Sequence, residues 1–324
     1  MDFFRSVVAQ DITEADGSKT YDLAIRPLSH LVICIKALNS TASTKATVAQ
    51  ILGSLEKIEV LRFGASVASI SAVDLYALNC ILLGNEPWQE NVLNLENTPR
   101  TIPLIVPFGR RLYDPKECLP ETKNGELKLK LQIDIADTGY DGYISQIEQV
   151  ELVGATPTRY LKFMTQAYTP TATGAYQVPL TQEGLFAGIL IWGTTVPTGT
   201  VWTTTVDQIR LLLNNAERYY GTCNWEALHA ELVNRCHSPI LFGDGFVMEN
   251  AASAYTANAD TGILEQGNSA LNNHIYLDFS PNNSDDFLID TEKLASIKLD
   301  IIAGDTNATR ITPVQLIPVE QGAA

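Results

Sequence analysis

The chain has 324 residues, of which 45% are hydrophobic, so it can bury the core of one large or two medium domains. Its formal net charge is −15, and its longest cluster of basic residues is the pair Arg110-Arg111. Direct binding of nucleic acid needs a basic surface that displaces counterions from phosphates, so this composition argues against contact with a genome. Only 18% of the residues are charged, which indicates a surface in contact with partner subunits; an ordinary uncharged surface is the alternative.

Short apolar runs rich in β-branched and aromatic residues follow one another along the chain and predict strands. In chain order they are 31–38, 56–63, 102–108, 127–135, 147–153, 159–168, 185–192, 206–213, 274–279, 296–302 and 311–319. Alternation is clearest in 127–135, where every second residue is apolar, as in an antiparallel strand with one solvated face. Only 71–83 and 224–235 have the spacing and the N-cap residues of helices. Many short strands with few helices predict an all-β sandwich or barrel.

A unit of strand, tight turn and helix occurs twice, at 58–78 and at 209–228. An offset of 150 aligns Leu75 of the first helix with Trp225 of the second, with a one-residue gap in the turn. A central apolar strand precedes each unit, and three strands follow each unit in the same order. We interpret this pattern as a structural repeat; coincidental spacing of strands is the alternative.

The repeat predicts two tandem jelly-roll β-barrels, each with a short inserted helix, over residues 20–155 and 156–324. The join at 156–158 is too short to let the two halves tumble separately. Residues 1–19 are expected to form an N-terminal arm that packs under a neighbouring subunit or against a membrane, with an unstructured tail as the alternative. The long loop 236–273 is expected at a barrel end, on an exposed top or at a subunit contact.

The N-terminal sequence carries an acid at Asp2 and lacks the long apolar core of a signal peptide, and no stretch is long enough to span a bilayer. Without a secretion signal, the Cys residues are expected to be reduced and mostly buried rather than paired in disulfides. They are odd in number and widely scattered: Cys34, Cys80, Cys118, Cys223 and Cys236.

The candidate metal ligands are the histidines and the cysteines nearest to them. A paired-cupin enzyme, whose layout this chain resembles, holds its metal with a His-x-His pair, and no such pair occurs among His30, His229, His237 and His274. Cys223, His229, Cys236 and His237 are soft ligands of the kind that zinc prefers, but their spacing matches no ligand knuckle. We expect these residues to pack around the second helix, with a zinc site as the alternative.

Two acidic stretches supply the oxygen atoms that calcium prefers. Their members are Asp134, Asp137 and Asp141 in the first stretch, and Asp278, Asp285, Asp286 and Asp290 in the second. Neither stretch has the regular spacing of a dedicated calcium loop, so we interpret both as turn residues and leave calcium as the alternative.

Signatures of catalysis are missing from the sequence: it contains no nucleophile elbow, no Cys/His signature and no phosphate-binding glycine pattern. Trp192, Trp202 and Trp225 lie in apolar strand or helix contexts and are expected in the core rather than on a sugar-binding surface. No catalytic, cofactor-binding or metal-binding residue is therefore assigned, and we expect a protein that is not an enzyme.

The chain resembles the double jelly-roll major capsid proteins of tailless icosahedral viruses, many of which contain an internal membrane. The resemblance spans about 20–320 and depends on the repeated unit at 58–78 and 209–228, together with the segments 101–120 and 295–319. It implies two jelly rolls standing perpendicular to a shell, with three copies forming a pseudo-hexagonal capsomer. The chain lacks the large tower insertions of bigger family members, which puts a receptor-binding or decoration role in doubt.

The function implied by this resemblance is that of a structural major capsid protein. The implied partners are further copies of the chain in a homotrimer, neighbouring capsomers and minor capsid or vertex proteins, with an internal viral membrane left open and no direct nucleic acid. The implied location is the virion, after synthesis and assembly in the host cytoplasm. A carbohydrate-binding or adhesin-like β-sandwich protein is the alternative.

Overall fold

The computed structural model of the protein describes residues 2–40, 48–85, 96–97, 99–135, 139–197, 202–236, 271 and 273–319. The strands of the first half are β1 (Asp2–Thr13), β2 (Gly17–Asp22), β3 (Leu28–Asn39), β4 (Leu55–Arg62), β5 (Ala65–Ile70), β6 (Pro99–Pro107), β7 (Leu127–Ile133) and β8 (Tyr140–Val153). Its helices are α1 (Val48–Gly53) and α2 (Ala72–Leu83).

The strands of the second half are β9 (Arg159–Met164), β10 (Gln166–Tyr168), β11 (Gly174–Pro179), β12 (Leu185–Gly193), β13 (Val206–Leu213), β14 (Ala216–Glu217), β15 (Cys223–Asn224), β16 (His274–Asp278), β17 (Ile289–Asp290), β18 (Ile297–Ala303) and β19 (Thr309–Pro318). Its helix is α3 (Trp225–Arg235), and two short 3₁₀ turns follow at Pro281–Asn283 and Thr291–Lys293. Each strand predicted from the sequence overlaps one of these strands.

The first half is a jelly roll made of two facing sets of four strands. One set has the order β1-β8-β3-β6, and the other has the order β2-β7-β4-β5. All neighbours within each set are antiparallel. The apolar residues that alternate along β3 and β7, such as Ile33 and Leu129, are buried between the two sets.

The second half repeats this order strand for strand. Its sets are β9-β19-β12-β16 and β11-β18-β13-β14, so that β9 takes the place of β1, β12 that of β3 and β19 that of β8. The repeat in the sequence therefore corresponds to a repeat in the structure. The fold is all-β with two tandem jelly rolls, as predicted.

The helices α2 and α3 occupy equivalent positions in the two jelly rolls. Helix α2 lies between β5 and β6 in the chain. Helix α3 follows β14 and β15 and precedes β16, and β14 and β16 take the places of β5 and β6. The side chain of Asn79 in α2 donates to the carbonyl of Ile105 at 2.6 Å and accepts from its N–H at 2.7 Å, at the edge of β6. Nδ1 of His229 in α3 donates to the carbonyl of His274 at 2.8 Å, at the edge of β16. Asn79 and His229 are 150 residues apart, which matches the offset that aligned the two helices in the sequence.

The prediction of an N-terminal arm is wrong for the described residues. Asp2–Thr13 forms β1, which pairs along its length with β8, and Gly17–Asp22 forms β2, which pairs with β7. The backbone of β1 satisfies an edge of β8 that would otherwise be open, and this gain does not require an apolar pattern in β1. Phe3, Phe4 and Val7 remain exposed.

The two jelly rolls are packed against each other through a shared core. Strand β12 has one face towards the interior of its own barrel, with Phe186 and Ile191, and the other towards the first jelly roll, with Ala187 and Leu190. Strands β5 and β9 pair in parallel at Ala68–Phe163, which links the two barrels in one continuous sheet. Strand β12 is therefore buried on both faces, and the two halves share one core.

Candidate assembly surfaces

The junction between the jelly rolls contains a buried ionic cluster centred on Asp74. Ser71 caps α2, its Oγ accepting from the N–H of Asp74 at 3.2 Å, and this holds Asp74 in the first turn of the helix. The Asp74 carboxylate accepts from Nε2 of His274 at 2.9 Å and from Nε and Nη2 of Arg310 at 2.7 and 2.8 Å. The guanidinium of Arg310 also lies over the ring of Trp192, 3.6 Å from its centre.

Asp74 remains ionised in this cluster. Burial by itself raises the pKa of the Asp74 carboxyl, but hydrogen bonds and charge from His274 and Arg310 outweigh it and hold the pKa well below its ordinary value. A buried carboxylate without these donors would be strongly unfavourable. The cluster therefore holds α2 against the second jelly roll.

A second ionic cluster connects the 101–120 segment to the second jelly roll. Glu117 accepts from Nε of Arg110 at 3.1 Å and from Nε of Arg159, in β9, at 2.9 Å. Asp285 accepts from Nη2 of Arg110 at 2.6 Å and from Nη2 of Arg159 at 2.8 Å. Burial raises the pKa of Glu117, yet the hydrogen bonds from Arg110 outweigh it and the pKa is lowered. The basic pair noted in the sequence thus contributes one of its arginines to an internal contact.

The histidines occupy separate structural positions. Nδ1 of His30 lies 2.9 Å from Oγ of Ser29, and burial, with the charge of Arg5, lowers the pKa of His30 to about 4. His229 binds the edge of β16, and His274 binds Asp74. Within the described ranges, no group of three or more His, Cys, Asp or Glu residues is arranged to hold a metal ion. His237 lies outside the described residues.

The cysteines are in the thiol form, with Cys80, Cys118 and Cys236 buried and the other two half-buried. Cys223 and Cys236 lie at opposite ends of α3. Burial, with Asp114 adding to it, raises the pKa of the Cys118 thiol to about 12. The prediction of reduced, mostly buried cysteines is confirmed.

Most acidic residues of the second stretch are partners of basic side chains. Asp278 binds Arg235, Asp285 binds two arginines as above, and Asp290 lies 2.6 Å from Nζ of Lys293. Asp286 accepts from Oγ of Ser284 at 2.7 Å. Asp137, in the first stretch, lies outside the described residues.

The tryptophans differ from one another in exposure. Trp225, the first residue of α3, is buried and Trp192 is covered by Arg310, but Trp202 is 82% exposed in the connection between β12 and β13. The prediction that all three belong to the core is therefore wrong for Trp202. The described residues that follow it, Thr203–Thr205, are polar and belong to no strand, so Trp202 is not followed by a sheet face that could bury it.

The outer face of the β1-β8-β3-β6 sheet carries several apolar side chains, of which Phe3 and Val7 on β1 are exposed. Val7, Glu148, Val32 and Ile105 stand side by side across its four strands, according to the strand register. Val7 is 53% exposed and Phe3, further along β1, is 61% exposed. Phe3 packs edge-to-face on Tyr113, and these residues line a shallow depression of about 320 Å³. Exposed apolar side chains grouped in this way are typical of an interaction surface.

The long loop predicted at 236–273 lies almost entirely outside the described residues. Its two ends are described: Cys236 follows α3, and Asn273 donates to the carbonyl of Gly193 at 2.8 Å before β16 begins. No helix in the described ranges is long and apolar enough to cross a membrane.

Comparison with known proteins gives matches by structure alone. Neither a protein-family model nor a curated protein matches the sequence. The major capsid protein of Sulfolobus turreted icosahedral virus is 11% identical with a TM-score of 0.67, covering 98% of this chain and 97% of that chain. The major capsid protein P2 of bacteriophage PM2 is 12% identical with a TM-score of 0.62, covering 99% of each chain. The Faustovirus major capsid protein is 8% identical with a TM-score of 0.53, covering 98% of this chain and 90% of that chain.

These matches extend over nearly the whole length of both chains, so they include both jelly rolls and the junction between them. At such low identity they establish the fold. The chain has the double jelly-roll fold of viral major capsid proteins.

Proposed function

We propose that this chain is a structural major capsid protein that forms homotrimeric, pseudo-hexagonal capsomers, which tile an icosahedral virus shell. The observation that carries the proposal is the pair of jelly rolls with one strand order, held rigidly by a shared core, in a fold shared end to end with viral major capsid proteins.

The physical reason for a trimer lies in the number of barrels. Three chains around a threefold axis place six similar barrels in a ring, and a near-hexagonal ring tiles a shell through contacts of nearly one kind. Closed cyclic symmetry leaves no contact surface within the ring unpaired. The low charged fraction of 18% and the exposed apolar side chains of β1 support burial of such surfaces between subunits.

We propose that the division between the two jelly rolls lies between residues 155 and 156, in the join that follows β8. The further partners that we propose are neighbouring capsomers and minor capsid or vertex proteins in the virion, with assembly in the host cytoplasm. The charge of −15 supports a shell protein that does not touch the genome directly. We propose no enzymatic activity. The proposal is supported by the described histidines, because His30, His229 and His274 are each engaged in structural contacts.

Light scattering on the purified full chain at neutral pH tests the trimer. The chain mass is 35.4 kDa, so the expected particle has three times that mass, about 106 kDa. Electron microscopy of the same sample should show a compact particle with a near-hexagonal outline. A stable monomer or a twofold dimer at all concentrations would contradict the proposal and favour the adhesin-like alternative.

A further inference from the structure

The tip of the β4–β5 hairpin differs in chemistry from its counterpart in the second jelly roll. Strands β4 and β5 are joined by Phe63 and Gly64, both with positive φ, at 52° and 78°. The counterpart between β13 and β14 is Asn214-Asn215, with φ of 53° and 62°. Two-residue turns of this kind favour Asn, Asp and Gly, because a bulky side chain is strained in the left-handed region. Asn214 therefore suits its turn and Phe63 does not.

The two tips also differ in what covers them. Oδ1 of Asn214 accepts from the N–H groups of Ala295 and Ser296 at 2.7 and 3.1 Å, which ties this tip to its own barrel. The side chain of Phe63 is 59% exposed. An apolar side chain that is both strained and exposed gains stability neither from its turn nor from a core, and this combination indicates a role outside the single chain.

The residue before Phe63 carries a positive charge that is stacked on rings. The guanidinium of Arg62 lies 4.8 Å from the centre of the Phe63 ring and 5.8 Å from that of Tyr160. Its Nε is buried and has no hydrogen-bond partner among the residues that the structure describes. The carboxylate of Glu126, at the adjacent chain position in β7, accepts instead from the N–H of Lys123 at 2.7 Å. An arginine in this state is suited to a phosphate group, because its planar N–H groups match two phosphate oxygens.

Two further exposed apolar side chains, Ile25 and Phe3, lie at the same end of the first jelly roll. The backbone of 122–126 forms hydrogen bonds with that of Phe63 at 2.9 Å and with that of Ile25 at 2.8 Å. Leu152, which pairs with Phe3 in β1, donates its N–H to the loop that carries Ile25 at 2.8 Å. These bonds connect Phe63, Ile25 and Phe3 around one rim of the barrel.

Charges of both signs lie along this rim. Arg26 and Lys123 are exposed there, as are Asp22 and Glu121. The whole chain has a net charge of −15, so it has no broad attraction for an anionic surface. Binding at this end would therefore depend on local groups, above all on Arg62 and Phe63.

We propose that this end of the first jelly roll binds the surface of a phospholipid bilayer, with Phe63 inserted among the lipids and Arg62 bound to a headgroup phosphate. A peripheral membrane site needs an apolar part that enters the acyl boundary and a basic part that stays at the headgroups. The apolar side chains stand on separate loops with charges between them, which suits a fluid surface better than one preformed protein groove. The inference rests on the proposed function and names a partner for one end of the capsid subunit.

Flotation of the full chain with vesicles tests the site. We expect the wild type to float with vesicles of phosphatidylcholine and phosphatidylglycerol. Phe63→Asn should lower the partition coefficient about tenfold, since the phenyl ring no longer enters the bilayer. Arg62→Gln should lower it about fivefold, since one basic contact is lost. Because Asn suits this turn, Phe63→Asn should unfold at the same or a higher urea concentration than the wild type, which separates weaker binding from misfolding.

The matched control is Trp202→Ser, at an exposed aromatic residue of the opposite end. Trp202 precedes β13, whereas the tip Asn214-Asn215 follows it, and β5 and β9 run parallel, so both barrels point the same way. Trp202→Ser should float like the wild type. Loss of flotation in this variant would contradict the assignment to the Phe63 end.

Fluorescence tests insertion directly. In Phe63→Trp, phosphatidylcholine brominated on its acyl chains should quench the added indole beyond the quenching seen with the wild type. Soluble glycerophosphate should not displace the chain from vesicles, since it offers the phosphate without the acyl region. Displacement by glycerophosphate, or equal quenching in the two proteins, would overturn the inference.

Failure of this inference is distinguishable from failure of the proposed function. A wild-type trimer that floats with no vesicle, or that still floats after both Phe63→Asn and Arg62→Gln, would overturn the inference and leave the proposed function standing. Flotation that requires a second virion protein in the vesicles would overturn it in favour of a protein partner. A wild-type chain that is monomeric at every concentration would overturn the proposed function, whatever its flotation.

Discussion

Arg310 in the last strand donates two hydrogen bonds to Asp74 in the helix α2, from Nε at 2.7 Å and from Nη2 at 2.8 Å. The two residues are 236 positions apart, and their contact spans the boundary between the jelly rolls. Because Asp74 is 1% exposed, loss of its charge would leave Arg310 and His274 without their buried partner.

Asp74→Asn should therefore destabilise the chain strongly. Removing one member of a buried ion pair costs about 3 kcal/mol or more, since the remaining charge is uncompensated. Urea unfolding at pH 7 measures the loss. Asp290→Asn, which removes an exposed partner of Lys293, is the control and should leave the unfolding midpoint unchanged. Equal midpoints for wild type and Asp74→Asn would show that the cluster does not hold the junction.

The stabilisation that the Asp74–Arg310 pair contributes depends on pH in a defined way. The folded-state pKa of Asp74 is lowered from its ordinary value of 3.8, so its stabilisation is present above that pH and is lost as the pH falls below it. The difference in unfolding free energy between wild type and Asp74→Asn should be constant from pH 5 to 7 and shrink below pH 4. A difference that shrinks already at pH 6 would contradict this assignment.

The lowered pKa of His30 leads us to expect a loss of stability at mildly acidic pH. Burial, with the charge of Arg5, lowers the pKa of His30 from 6.5 to about 4. Between these two values the unfolded chain binds a proton that the folded chain does not, so stability falls as the pH is lowered through this window. His30→Gln removes the titrating group and should flatten the dependence of the urea midpoint on pH between 4 and 6.5. An identical pH profile for the two proteins would rule out His30 as its source.

At Gly109 the 101–120 segment has no room for a side chain. A Cβ atom at this position would lie 2.0 Å from the backbone oxygen of Glu117, so Gly109→Ala forces the turn that carries Arg110 and Glu117 apart. We expect a loss of about 2 kcal/mol in unfolding free energy, as for other overpacked sites. Gly53→Ala, where a Cβ meets nothing within 4 Å, is the matched control and should be neutral or slightly stabilising. A loss of equal size at Gly53 would exclude the steric explanation.

The two hydrogen bonds of Asn79 hold α2 at the edge of β6, and we expect their loss to lower the free energy of unfolding. Asn79→Ala leaves the N–H and the carbonyl of Ile105 without the partners that they have at 2.7 and 2.6 Å, and each unsatisfied buried group costs about 1–3 kcal/mol. We expect a loss of about 2 kcal/mol in thermal or urea unfolding. His229→Ala, at the equivalent position of α3, removes one bond and should cost less. Asn234→Ala, at an exposed position of α3, is a control that should have no effect.

The sequence indicates where the two helices lie, but the surfaces that remain open for assembly are known only from the fold. The repeat placed α2 and α3 in equivalent positions because apolar residues at helical spacing mark a buried face in any context. The two helices nevertheless differ in sequence: α2 is apolar nearly all round, and Ala77 is buried, whereas α3 has charged residues on one side, and Ala227 is exposed. What covers the further sides of α2 follows only from the tertiary structure.

The sequence by itself determined the strands with one buried face, the two longer helices and the order that makes two jelly rolls. Burial on one side of a strand imposes alternation on the residues themselves, as in β7. It did not reveal β1, β2 or β11, because edge strands gain backbone hydrogen bonds from a neighbour without burying an apolar face. It also took β5, which is paired on both sides, for part of a tight turn before α2. Only the tertiary structure decided which sheet face is covered and which is open, and that Asp74 meets Arg310. Such contacts depend on the relative position of whole barrels, and pairs far apart in the chain leave no local pattern.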